Sequence, residues 1–272
     1  MATMTIRDST ERWAARTLSG AASVRITATY AVILAAVSLG LNALGPHARD
    51  VVVSRMSTNL HNLAHGRLTT LVGSAFVDEG GEICACLPAL ACLLALGELI
   101  WRGRGLIIAF AVGHIGATLI VAVGLVAALE MGWLPFSVAR ATDVGVSYGA
   151  VSVLGALTAS IPLRWRPAWV GWWLGITLMA ASGLDFTAVG HVVALLLGIA
   201  LSYRLPSTSS WTPARVGLLI GGSAFCYFML SGSSMVTTVA GLAASLVALF
   251  ACRVAPSRVA GERMPAPQPS PA

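Results

Sequence analysis

Two stretches decide how this chain folds: Gly145-Val146-Ser147-Tyr148-Gly149 and Gly190-His191-Val192-Val193-Ala194-Leu195-Leu196-Leu197-Gly198. Each lies near the start of an apolar segment, and each carries a polar side chain where few others occur. A charged side chain at the centre of a membrane helix costs about 2.5–3.5 kcal/mol on insertion scales. A polar residue kept in such a place is a functional-site candidate. Outward from these two stretches, apolar segments cover roughly 143–163 and 184–203, with others at 26–45, 82–101, 105–128 and 167–183. The run at 216–252 is too long for one crossing, and Ser231-Gly232-Ser233-Ser234 interrupts it, which predicts a turn between two helices. The pattern predicts an all-α polytopic membrane protein of about eight spans.

Composition agrees. Of 272 residues, 57% are hydrophobic and 10% charged, against about 25% charged in a soluble domain. All 17 basic residues are arginine, a bias expected of a GC-rich, bacterial source and hence of a bacterial plasma membrane. Their placement explains the net charge of +6 without a nucleic-acid partner. With the N-terminus in the cytoplasm and spans alternating, thirteen arginines fall on the cytoplasmic side and only Arg49, Arg55, Arg67 and Arg140 outside. Both chain ends are then cytoplasmic. Residues 1–25 form a polar leader, too long for a signal peptide, and 26–204 a membrane core. An extra hairpin covers 205–253, and a Pro- and Ala-rich tail at 254–272 is expected to be disordered.

Residues 46–81 do not fit a span. Within them Asn59-Leu60-His61-Asn62-Leu63-Ala64-His65-Gly66-Arg67-Leu68 reads either as an amphipathic element in the outer interface or as an ordinary extracellular loop. The cysteines (Cys84, Cys86, Cys92, Cys226, Cys252) all fall in apolar segments and read as small membrane-buried residues, not as a disulfide or metal site. No metal or organic cofactor is expected.

The alternating topology brings the segments at 143–163 and 184–203 into the membrane from the same face. Asp143 is the expected N-cap of the first. Ser147 then lies about 6 Å below the helix start and His191 about 9 Å below Asp185, at 1.5 Å per residue. A serine needs a base to become nucleophilic, and neutral histidine is the usual one. Unpaired N–H groups at a helix start, here flanked by Gly145, Val146 and Tyr148, can stabilise an oxyanion. Small residues at helical spacing, Gly145, Gly149, Ser152 and Ala156 on one segment and His191, Ala194 and Gly198 on the other, would let the helices approach closely. Each polar residue also has a purely structural reading, because serine in a membrane helix commonly bonds its own backbone.

The chain resembles the rhomboid intramembrane serine proteases. In that family G-x-S-G opens the fourth core helix, with a later glycine eight positions after the serine. Gly145, Ser147 and Gly155 match, and Tyr148 replaces the glycine after the serine. The sixth core helix carries H-x-x-G-x-x-x-G, to which His191, Ala194 and Gly198 correspond, with alanine for the first glycine. The stretch from Gly66 to Phe76 is similar to the family's W-R-x-x-T-S-x-F loop, without its tryptophan. The resemblance covers roughly 25–204 and implies a six-helix core, to which this chain adds the C-terminal hairpin. It departs at the second helix, where the family's H-x-x-x-N falls near Ala85 and Ala89. His114 could replace that oxyanion support, or be a buried histidine bonded to a neighbouring helix.

The resemblance implies proteolysis of membrane-spanning substrates within the lipid bilayer by a Ser147–His191 dyad. The alternative is an inactive relative that binds transmembrane helices, favoured by Tyr148 and the missing H-x-x-x-N. A small transporter is less favoured, since Glu98 is the only acidic residue well inside a predicted span and falls near its cytoplasmic end.

Overall fold

A computed structural model describes residues 23–78, 83–183 and 185–254. The expected cytoplasmic leader and disordered tail lie almost wholly outside these residues. Helix α1 (Arg25–Leu44) is the first apolar run. Three short helices follow, α2 (Pro46–Met56), α3 (Leu60–Ala64) and α4 (Thr70–Gly73), and then a 3-10 turn at Ser74–Phe76. Helix α5 (Ile83–Ala111) continues through a π-helical turn, Val112–Gly116, into α6 (Ala117–Glu130). Helix α7 (Ser147–Ala156) ends in a 3-10 turn at Leu157–Ser160. The rest are α8 (Arg166–Ala180), α9 (Phe186–Ser202), α10 (Pro213–Ser231) and α11 (Met235–Val254). No strand occurs among the described residues. The fold is all-α and polytopic.

Among the described residues, four stretches are long and apolar enough to cross a membrane: Arg25–Leu44, Cys84–Glu130, Pro213–Ser231 and Met235–Val254. The second is not one straight rod. Arg102 has φ 60° and ψ 176°, far from helical values. A Cβ on Gly97 would lie 3.2 Å from Leu106 Cδ1, whereas nine residues of straight helix rise about 13.5 Å. The chain therefore folds back at Arg102-Gly103-Arg104, where the arginines interrupt the apolar run.

This turn also fixes α1. The Glu98 carboxylate, 4% exposed, accepts from Ile26 N at 2.9 Å, Thr27 N at 2.8 Å and Thr27 Oγ1 at 2.8 Å. These amides belong to the first turn of α1, whose N–H groups have no partner within the helix. The carboxylate satisfies them and opposes the positive end of the helix dipole. A buried acid that would suggest ion transport is thus a helix cap.

Helix α7 lies at the centre, and every residue from Tyr148 to Ala156 is buried. It packs most heavily on α9. A Cβ on Gly198 would sit 2.1 Å from Ser152 O, and one on Gly155 2.6 Å from Leu195 O. Ala194 is completely buried. Gly149 faces the Phe110 ring of α5 instead. Lipid tails are as apolar as leucine, so membrane helices associate through close van der Waals packing, and small residues permit it.

The C-terminal helices form a hairpin that turns at Gly232, which has φ 53°. Helix α10 packs on α5, with Gly221 against Cys92 and Gly222 against Leu93. Helix α11 packs on α8, where Gly171 and Gly175 face Ala244 and Ala240, and Ser245 Oγ donates to Ala168 O at 3.1 Å. The hairpin therefore bridges α5 and α8.

Candidate functional site

The segment leading into α7 is held by the loop that follows α1. Thr58 N donates to Asp143 O at 2.9 Å, Thr58 Oγ1 to Asp143 Oδ2 at 3.0 Å, and Asp143 N to Ser57 Oγ at 2.9 Å. Asp143 is thus not the N-cap that its position suggested. The helix begins at Ser147, its N-cap residue is Val146, and no side chain caps it. The Asp143 carboxylate is taken up by Thr58 Oγ1 and its backbone N–H by Ser57 Oγ, so neither serves the start of α7. Gly145 has φ 114°, which an L side chain rarely adopts, and its N–H donates to Ser74 O at 2.9 Å.

The loop reaches deep into the bundle. Tyr30, in the second turn of α1, donates its hydroxyl to Ala75 O at 2.6 Å. Ser74 Oγ lies 3.1 Å from His114 Nε2, and His114, 5% exposed, sits in the π-helical turn. Its Nδ1 is buried without a hydrogen-bond partner among the described residues. Single π turns recur at functional positions, and this one is filled by a histidine that braces the loop.

Ser147 is the first residue of α7, and the helix's first hydrogen bond runs from Ala150 N to Val146 O at 2.9 Å. The N–H groups just before Ala150 therefore lack partners within the helix. Ser147 is half-buried and lines a cavity of about 600 Å3 between α5 and α10, which Gly145 and Val146 also border. Ala85 and Ala89, where the resembling family carries His and Asn, form part of the α5 wall.

His191 occupies the second turn of α9, whose N-cap Asp185 accepts from Ala188 N at 3.0 Å. The ring of Tyr148 meets the imidazole edge-on, with centroids 5.2 Å apart. The Tyr148 hydroxyl lies against Gly190, where a Cβ would be 2.3 Å from it. His191 Nε2 is buried without a hydrogen-bond partner among the described residues, whereas the Tyr148 hydroxyl has the Thr187 side chain within reach. No hydrogen bond joins Ser147 to His191. Successive helical residues point about 100° apart. With Tyr148 directed at α9, Ser147 faces the cavity between α5 and α10.

Three connections had no local signal in the sequence: Ser74 with His114, Tyr148 with His191, and α10 with the serine's cavity. Each joins residues more than thirty positions apart. The contiguous cues lay in the glycines and in Asp185, and these describe helix ends and packing.

The family model for the rhomboid-like protein matches residues 19–210, about 70% of the chain. Comparison with curated proteins and with solved structures gave no match. The matched span holds α1 to α9, including Ser147, His191 and His114, and leaves out both helices of the α10–α11 hairpin. On the fold and this match, the chain belongs to the rhomboid-like protein family.

Proposed function

We propose that this protein is an intramembrane serine protease acting on membrane-spanning proteins, with both chain ends on the cytoplasmic side of a bacterial plasma membrane. The observation that carries this reading is the gathering of polar groups at the starts of α7 and α9. His191 Nε2 is buried without a hydrogen-bond partner among the described residues, and Ser147, next to Tyr148, opens onto a cavity. A buried polar atom left without a partner costs about 1–3 kcal/mol. An imidazole nitrogen kept free at this place is available to exchange a proton with a bound reactant.

In the proposed reaction His191 accepts the Ser147 hydroxyl proton as the oxygen bonds to a peptide carbonyl carbon. Collapse of the tetrahedral intermediate breaks the C–N bond, and His191 gives the proton to the departing amine. Water then hydrolyses the acyl-serine, again with His191 as base. The free N–H groups at the start of α7 face the developing oxyanion, and His114 is the candidate for additional support. For this step the Ser147 side chain turns from the α5–α10 cavity toward α9, so that its hydrogen bond to His191 forms only in the substrate complex.

A second reading has its own observation. The Tyr148 ring, not the Ser147 hydroxyl, meets His191, as in a relative that binds transmembrane helices without cutting them. Labelling of detergent-solubilised protein with a fluorophosphonate separates the two. Wild type is expected to label, and Ser147→Ala and His191→Ala to lose at least about 100-fold of that rate. Equal labelling of all three, or none, establishes the binding protein instead.

A further inference from the structure

The cavity beside Ser147 has two unlike walls. On α5, Ala85 and Ala89 are small and create the space. Opposite them stand Phe225, Phe228 and Met229 of α10. That helix lies beyond the residues matched to the family, so the hairpin provides a wall that the core does not.

The placement of α10 is specific. Gly222, Phe225 and Met229 fall at helical spacings of three and four, and therefore on one face. A Cβ on Gly222 would lie 2.7 Å from Leu93 Cα, so this face is in close contact with α5. The same contact carries Phe225, 7% exposed, and Met229 to the cavity's edge, while Phe228, 60% exposed, stands at its open side. The cleft's volume of about 600 Å3 falls in the range of small-molecule sites. Aromatic rings and a flexible thioether suit an apolar occupant of adjustable shape.

We propose that α10 sets the specificity of this site. Phe225, Phe228 and Met229 receive a bulky apolar side chain of the client, beside the residue whose carbonyl Ser147 attacks. The proposal rests on the protease reading above, and its test separates the two. One methylene in an apolar pocket changes the rate about 10–200-fold, so altering this wall by a whole ring gives a measurable change in preference.

The test uses the full-length chain in detergent micelles and two fluorophosphonates, one with a methyl and one with a phenylbutyl substituent. The measured quantity is the ratio of labelling rates, large probe over small, in wild type, Ala224→Phe and Phe228→Ala. Ala224 borders the same cavity, so phenylalanine there fills it. The expected ratio falls about 10-fold in Ala224→Phe and rises in Phe228→Ala. Opposite shifts in one ratio cannot come from misfolding, which lowers both rates together. Ser147-dependent labelling with an unchanged ratio in both variants overturns the specificity wall and leaves the protease intact. Absence of Ser147-dependent labelling in wild type overturns the protease, and the specificity wall with it.

Discussion

Replacing Gly198 by alanine tests whether the close approach of α7 and α9 holds this protein together. The added Cβ would stand 2.1 Å from Ser152 O and 2.9 Å from that residue's C and Cα, all backbone atoms. An ordinary contact begins near 3.4 Å, so the helices must separate by about 1 Å, because no flexible side chain can yield instead. Overpacking of this kind costs about 1–3 kcal/mol, and rigid backbone on both sides puts this case at the upper end. Separation also withdraws the other contacts on that face, including Gly155 against Leu195 O. The control is Gly124→Ala in α6, where nothing lies within 4 Å of the added carbon. Its helix should gain roughly 0.5–1 kcal/mol from the better helix former. Reversible unfolding in mixed dodecyl maltoside and dodecyl sulfate micelles measures both. Gly198→Ala is expected to lose about 3 kcal/mol relative to wild type. Stability within about 0.5 kcal/mol of wild type would refute the idea that glycine is required at this contact.

Two further outcomes are expected. Glu98→Ala removes the acceptor of three hydrogen bonds at the start of α1 and should cost about 3 kcal/mol in the same assay, with Glu98→Gln retaining part of it. A loss below about 0.5 kcal/mol in Glu98→Ala contradicts the capping role. On the loop after α1, His61 is held below the usual imidazole value by desolvation and then by His65, Arg140 and Arg67. Its proton therefore leaves more readily in the folded protein than in the unfolded chain. Any stability linked to it is present above the ordinary value of 6.5 and lost as pH falls through the lowered one. NMR titration should find His61 below 6.5 and His65→Ala should move it upward; no movement contradicts the coupling.

How far the fold was legible follows from which forces act locally. Apolar runs and arginine breaks located the helices because the cost of burying charge is paid within each segment. The fold-back at Arg102 and the turn at Gly232 fall where charge or glycine interrupts an apolar run. The N-cap expected at Asp143 failed because Ser57 and Thr58, distant in sequence, compete for the same groups. Glu98 was visible as an acid near a helix end, but its partners Ile26 and Thr27 lie over 70 positions away. At the site, Ser147 and His191 stood out as polar residues in apolar surroundings. Their relation did not, because adjacency in sequence separates directions on a helix. Tyr148 takes the direction toward α9, and the serine faces the wall built by α10.

The cap on α1 has a consequence for biogenesis. Glu98 follows Thr27 by 71 positions, a delay of roughly 4–14 s at ribosomal rates of about 5–20 residues per second. Until then the first amides of α1 have only interfacial water as a partner, and the Glu98 cap forms when the second long apolar stretch has been made. The cap on α1 is therefore completed after α5, however early α1 itself becomes helical.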